Sequence, residues 1–555
     1  VYGGLQDNGS WSGPSRSPGG ISNSDWKEVG GGDGFYVFVD PHDKDILYFE
    51  SQGGYVSRLH RSTRERKSIR PYPGEGEPEY RFNWNTPIAV TGNALYIGSQ
   101  FLFRSVDKGD SWERISGDLT TNDPGKQRQF ETGGITVDNS SAENHCAIYT
   151  ICESPLDKQV LWVGTDDGNV QVTRNGGKTW TNVIENIPGL PLHTWCSCIE
   201  AGHFADGTAY AVFDGHRTGD MNIYAYRTRD FGKTWASIKS DAVKGYAFVI
   251  REDVKSANLL FLGTEFGLFV SVDGGKQWAQ FTGNLPNVAV RDIAIHPRDH
   301  DVILATHGRG IYIIDDMSLF RKITPQVLAA KVEFFEPEPV IIRRIGGEYR
   351  AGHPGEFVGS NPSEVGKLTY YLKKRHIFGS SKLEIYDPDG KLIKTLPAGK
   401  RRGINIVNWP LRMKPPKVAA TPTRSVAIPS GPLVKEGIYT AKLIKGKETY
   451  TRKIKVMYDP ASRHSRDDRA LQQETVWKLY RMQEHLAYIA HSCAGLRDQA
   501  REQSEKLKKG NRLGKRLDKF AGKLDKLHKT LVATRKGAGI TGEQQLREKV
   551  VQLYV

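Results

Sequence analysis

The first part of the chain alternates between short apolar runs and polar turns, whereas the last part carries apolar residues at helical spacing. Between residues 1 and 316 one arrangement returns: an apolar strand ending in Gly-Thr or a relative, a polar turn, then a second apolar strand. It spans residues 160–165 with 169–173, and again 259–264 with 268–271. Period-two alternation rich in β-branched and aromatic residues predicts strands. Looser copies at 1–5, 46–51, 94–99, 208–213 and 302–306 bring the hairpins to seven. Residues 36–40, 135–138 and 292–296 are read as strands that precede a hairpin and lie innermost. The first hairpin lacks such a strand, so a missing N-terminal segment or a second chain is expected to complete it. Units that cannot bury an apolar face alone must stack on one another, and four-stranded units of this kind suit a β-propeller.

From 332 to 459 the pattern becomes short strands, at 368–372, 383–386, 404–409, 439–443 and 453–456. Asp389-Gly390 and Lys445-Gly446 are hairpin signals, and the strand number suits a small β-sandwich. The Pro-rich stretch 414–432 reads as a long loop. After Pro460, Val476, Leu479, Met482, Leu486, Ile489, Cys493 and Leu496 step by three or four, as do Leu513, Leu517, Phe520, Leu524, Leu527 and Leu531. Gly510 and Asn511 separate the two stripes, which predicts an antiparallel helical hairpin; a third short helix is expected over 542–553. The expected domains are therefore 1–320, 332–459 and 463–555.

Four copies of one eight-residue turn punctuate the first domain, from Ser105 to Trp112, Thr173 to Trp180, Thr228 to Trp235 and Ser271 to Trp278. A hydroxyl opens each copy and Asp107, Asn175, Asp230 or Asp273 follows two residues later; both can satisfy turn backbone groups. Glycine permits positive φ, and Trp112, Trp180, Trp235 and Trp278 can pack between neighbouring elements. These positions are read as structural. The consensus resembles the Asp-box, or bacterial neuraminidase repeat. Residues 2–11, 81–87, 164–168 and 306–310 are similar to phrases in large secreted bacterial proteins of the sortilin-like or glycosyl-hydrolase-like group.

That resemblance covers nearly the whole chain. It implies a mainly β protein: a seven-bladed-type Asp-box propeller, a fibronectin- or immunoglobulin-like sandwich and a helical hairpin. It also implies a secreted, periplasmic or outer-envelope location. Asp-boxes occur in sialidases, in two-propeller glucanases that cleave xyloglucan and in sortilin-type receptors, so the fold does not choose the function.

A net charge of +15 suggests nucleic acid until it is located: residues 463–555 hold 21 Lys/Arg and 11 Asp/Glu, so +10 of the excess sits in the last sixth. Lys506, Lys508, Lys509, Arg512, Lys515, Arg516, Lys519, Lys523, Lys526 and Lys529 flank an apolar stripe there. They could meet an anionic polysaccharide, lipid or nucleic acid, or form the wet side of a packed helix. Aromatic residues for base stacking are lacking, which puts nucleic acid last. No run of 18 apolar residues occurs. Five cysteines are too few for a disulfide scaffold; Cys146 and Cys152 could bridge to Cys196 or Cys198, or all could be thiols. Metal-ligand spacing is absent, and no cofactor is expected.

In a propeller, the turns joining second and third strands lie opposite the repeated turns. Here they carry Gln6, Asp7 and Asn8; Gln52; Gln100; Asp166 and Asp167; Asp214, His216 and Arg217; Glu265; and His307 and Arg309. A polar ligand or peptide could be held by Asp7, Asp166, Asp167, His216, Arg217, Glu265, His307 and Arg309, with Arg81 and Trp84 from a long insertion. The competing reading is a solvated rim of good turn formers. Glycoside hydrolysis needs two carboxyl groups roughly 5 to 10 Å apart, for which Asp166 or Asp167 with Glu265 are the candidates. The Arg-Ile-Pro of sialidases is missing. The leading expectation is a binding or scaffold protein for a polypeptide or glycan, with a sialidase-like or xyloglucanase-like hydrolase as the alternative.

Overall fold

The computed structural model describes residues 1–132, 144–343, 355–424, 430–460, 462–538 and 543–554. Two compact units divide the chain: 1–325 with 345–362, and 326–344 with 363–555.

The first unit is a β-propeller. Its described residues form seven antiparallel sheets, five of four strands and two of three. Apolar inner strands Gly34–Val39, Ile88–Val90, Ile148–Glu153, Trp195–Ala201, Ala247–Asp253 and Val290–Ile295 follow one another around the axis, each starting a sheet. The first sheet begins with the hairpin Tyr2–Leu5 and Gly9–Ser12, and Tyr2–Leu5 packs directly against Gly34–Val39. At the other end of the unit, a carbon placed on Gly3 would lie 3.9 Å from Ile311 Cδ1 of the last sheet. The expected inner strand 135–138 lies outside the described residues, and Ile148–Glu153 occupies the inner position of that sheet. Stacked sheets bury Trp162, Phe213, Phe261 and Phe269 completely, which is where the apolar runs obtain their stabilisation.

The repeated turns tie each sheet to the one before it. Ser105 Oγ accepts from the Gly109 amide at 2.8 Å, and Asp107 accepts from the Ser111 amide at 2.9 Å and its hydroxyl at 2.6 Å. Gly109 has φ +86°, and a Cβ there would sit 2.6 Å from Ile69, so glycine alone fits. Trp112, Trp180 and Trp278 donate their indole N–H groups to the carbonyls of Ile69, Ile115 and Ile238 at 2.7, 3.1 and 2.7 Å. Trp235 is buried like Trp278, but its indole nitrogen has no partner.

In the second unit two sheets face each other. One orders Val332–Phe334, Gly366–Leu372 and Gly403–Trp409; the other orders Val340–Ile342, Glu448–Tyr458, Gly437–Lys445, Ser381–Tyr386 and Leu392–Pro397. Leu368, Tyr370, Leu383, Ile385, Trp409, Leu443 and Ile454 fill the space between them. Sequence pattern missed the short strands Val332–Phe334 and Val340–Ile342, the latter running parallel to Glu448–Tyr458. Arg466–Glu505 and Arg512–Leu531 form the antiparallel helical pair, with Gly510 at φ +94° between them and Asn511 capping the second helix. The third helix is Leu546–Tyr554. All five cysteines are free thiols.

Candidate functional site

Each inner strand starts at the end of its sheet where the second strand turns into the third, because neighbouring strands are antiparallel. Side chains just before or at these starts therefore meet the turn residues around one mouth of the propeller. Backbone bonds fix the meeting: the amides of Asp166, Glu265 and His307 donate to the carbonyls of Ala147, Tyr246 and Ala289 at 3.0, 3.0 and 2.9 Å.

Asp166 and Asp167 are set inside this edge. Asp166 is fully buried; it accepts from Asn83 Nδ2 at 2.7 Å and the Ala147 amide at 2.9 Å, and His145 Nδ1 lies 3.6 Å away. Burial, and then the neighbouring Asp167 carboxylate, push its acid well above the usual range. Asp167 is 2% exposed and accepts from the Thr121 amide and hydroxyl, both at 2.7 Å, and from the Thr165 hydroxyl. Their oxygens are thus engaged by the fold. Glu265 is half-buried over Gly245, whose φ is +74° and whose missing Cβ would lie 2.7 Å from that of Glu265.

Other expected residues have fixed partners too. Arg81 bonds the Asp118 carboxylate at 2.7 Å and the Cys146 carbonyl at 3.2 Å. Trp84 donates to Asp33 at 3.1 Å and meets Phe35 edge-on with centroids 4.8 Å apart. Asp7, at φ +62°, donates its amide to Asp33 at 2.7 Å. His307 and Arg309 are exposed, and among the described residues their side chains make no bond.

The most developed cluster joins four sheets. Asp214, buried, holds His216 Nδ1 at 2.5 Å, and the imidazole lies flat on Tyr246 with centroids 4.3 Å apart. Arg291 donates to the Tyr246 hydroxyl at 3.0 Å and covers the Phe248 ring at 4.5 Å. Phe248 packs on Tyr149 and Trp195, and the Arg217 guanidinium covers Trp195 at 4.4 Å. Asn85 reaches the Tyr149 hydroxyl at 3.4 Å. The half-buried Arg291 guanidinium, resting on aromatic faces, leaves an N–H edge for an acceptor, and His216 directs Nε2 away from Asp214.

The structure thus brings His216 and Arg217 together, and adds Trp195, Tyr246, Phe248 and Arg291, which sequence reasoning missed. Their signal was position: each stands at the start of an inner strand facing a turn already singled out.

Fold and site define a mainly β propeller protein with a cationic and aromatic mouth. No protein-family model matches the chain, and no curated protein matches it. Solved structures that resemble it include a GH74 xyloglucanase from Xanthomonas campestris, at 17% identity over 59% of this chain and 51% of that one, with a TM-score of 0.38. PorZ, a surface component of the type-IX secretion system of Porphyromonas gingivalis, shows 13% identity over 77% and 52%, with a TM-score of 0.36. YCF48 from Cyanidioschyzon merolae shows 14% identity over 59% and 92%, also at 0.36. The chain spans about half the length of the first two. No described helix is long and apolar enough to cross a membrane.

Proposed function

We propose that this chain is a binding or scaffold protein of the Asp-box propeller type, secreted or held in the periplasm or outer envelope, whose mouth recognises a polypeptide or glycan. One observation carries the reading: His216, Arg217 and Arg291 rest on Tyr246, Trp195 and Phe248, while Asp166 and Asp167 are turned inward and bonded. Arg291 has no ion pair among the described residues, so its N–H edge is available to a carboxylate, carbonyl or hydroxyl. Aromatic faces beside it suit sugar rings or apolar side chains. A hydrolase would need two accessible carboxyl groups, and the Asp166 and Asp167 oxygens are committed elsewhere.

Calorimetric titration of the full chain with acidic peptides and with xyloglucan and sialoside oligosaccharides tests this. Saturable binding without turnover, weakened about tenfold or more by Arg291→Ala, is expected. Affinity untouched by Arg291→Ala and Arg217→Ala, or glycan cleavage abolished by Glu265→Gln, overturns it.

A further inference from the structure

The helical pair of the second unit leaves an apolar face uncovered. Along Arg466–Glu505, Met482, Ile489 and Leu496 are seven apart and exposed; along Arg512–Leu531, Leu513, Phe520 and Leu527 are too, all between 40% and 53%. Seven-residue steps drift only about 20° around a helix, so each set is one stripe. The buried positions of the two helices are other residues: Leu486, Ala490, Cys493 and Ala500 on the first, Gly514 and Ala521 on the second. The antiparallel register of the seam is fixed by Arg497 with Asp525 at 3.2 Å and by Ser504 with the Gly514 carbonyl at 3.2 Å.

At about 100° per residue, both stripes turn from the seam in the same rotational sense. In an antiparallel pair this puts them on one side. The opposite side is covered: Ala419 packs with Ala490 and Val532, and Val550 and Val551 of the third helix are buried.

Charge says what fits the open side. Lys478, Arg481 and Tyr488 border the first stripe, and Arg516, Lys519 and Lys523 the second, all exposed. Arg512–Leu531 holds seven Lys/Arg and two Asp, of which Asp525 is in the seam with Arg497 and Lys529. By the same projection, no carboxylate between Met482 and Leu527 falls on the apolar side. Glu474, one turn before Lys478, is exposed beside this face, and the rims are otherwise basic, so a second copy would set mainly like charges against one another.

We propose that the Met482, Ile489, Leu496, Leu513, Phe520 and Leu527 face docks in the plane of an anionic lipid surface. The leucines and Phe520 enter the headgroup boundary, and the lysines and arginines meet lipid phosphates. Docking holds the second unit at a membrane without a spanning helix, and stronger salt weakens it.

Flotation of the full chain with phosphatidylcholine vesicles, with and without phosphatidylglycerol, tests this. Binding only to the anionic vesicles is expected, reduced about tenfold or more by Lys519→Ala with Lys523→Ala and abolished by Phe520→Ser with Leu527→Ser. Those four positions are exposed, so an unchanged helical circular-dichroism signal and melting curve are expected beside the loss. Equal binding to neutral vesicles, no binding, or binding unaffected by Phe520→Ser with Leu527→Ser overturns the proposal. So does a solution dimer that the Phe520→Ser, Leu527→Ser pair dissociates.

Discussion

The imidazole of His216 lies parallel to the ring of Tyr246, 4.3 Å apart and 7° from coplanar, and the Tyr246 hydroxyl accepts from Arg291 on the next sheet. One tyrosine therefore positions both the His216 imidazole and the Arg291 guanidinium. Tyr246→Phe keeps the stack and removes the acceptor, and its expected cost is about 1 kcal/mol of stability. Ligand affinity should fall with it, because Arg291 loses the bond that aims it. Denaturant midpoints and titrations of the same preparation check both; a loss of stability with unchanged affinity would separate Arg291 from the binding role.

The repeated turns hold a natural comparison between two tryptophans. Trp278 donates to the Ile238 carbonyl at 2.7 Å, whereas buried Trp235 leaves its indole nitrogen without a partner. Both substitutions to phenylalanine remove similar apolar volume, but only Trp278→Phe also breaks a hydrogen bond. Trp278→Phe should therefore cost about 1 kcal/mol more than Trp235→Phe. Urea unfolding of the two variants measures the difference, and equal costs would contradict the assigned bond.

Asp107 organises its turn as a carboxylate. Bonds from the Ser111 hydroxyl and amide, and from Ser105, hold its acid well below the ordinary range. A depressed folded value contributes stability above the unfolded pKa of about 3.9, and that contribution disappears as pH falls through the folded one. In the second copy Asn175 accepts from the Thr179 amide at 3.0 Å and donates to its hydroxyl at 2.8 Å. Asp107→Asn should therefore keep the turn and flatten the acid limb of the stability profile, while Asp107→Ala destabilises at neutral pH. Melting temperatures between about pH 2 and 7 distinguish the three proteins.

Parts of the fold were legible because local chemistry determines them. Gly109 and Trp112 announce a turn and its anchor within eight residues, and Gly510 with Asn511 announces a helix break and a cap. The inner strand Ile148–Glu153 was not legible, since its place depends on packing against the neighbouring sheets and not on its own alternation. The site divides in the same way. His216 and Arg217 stood in a visible turn, but Trp195, Tyr246 and Arg291 lie at or just before the starts of inner strands, and those starting positions depend on the ring of sheets. Asp166-Asp167-Gly168 resembles an exposed turn; its burial comes from Asn83 and Thr121, 83 and 46 residues away.

Glu50 carries the last prediction. It lies near the end of the strand Ile46–Ser51, opposite Val56, with no exposed surface, and burial pushes its acid well above the usual glutamate range. The folded protein therefore keeps this proton at pH values where the unfolded chain, with an ordinary pKa of about 4.3, has released it. Below that value both states are protonated and Glu50 costs nothing by ionisation. As pH rises above it, the unfolded state gains, and stability falls by about 1.4 kcal/mol per pH unit until the folded value is reached. Glu50→Gln is neutral at every pH and removes that slope. The variant should gain on the parent between about pH 5 and 8, read from denaturant midpoints at each pH; parallel profiles would mean that Glu50 is ionised in the fold.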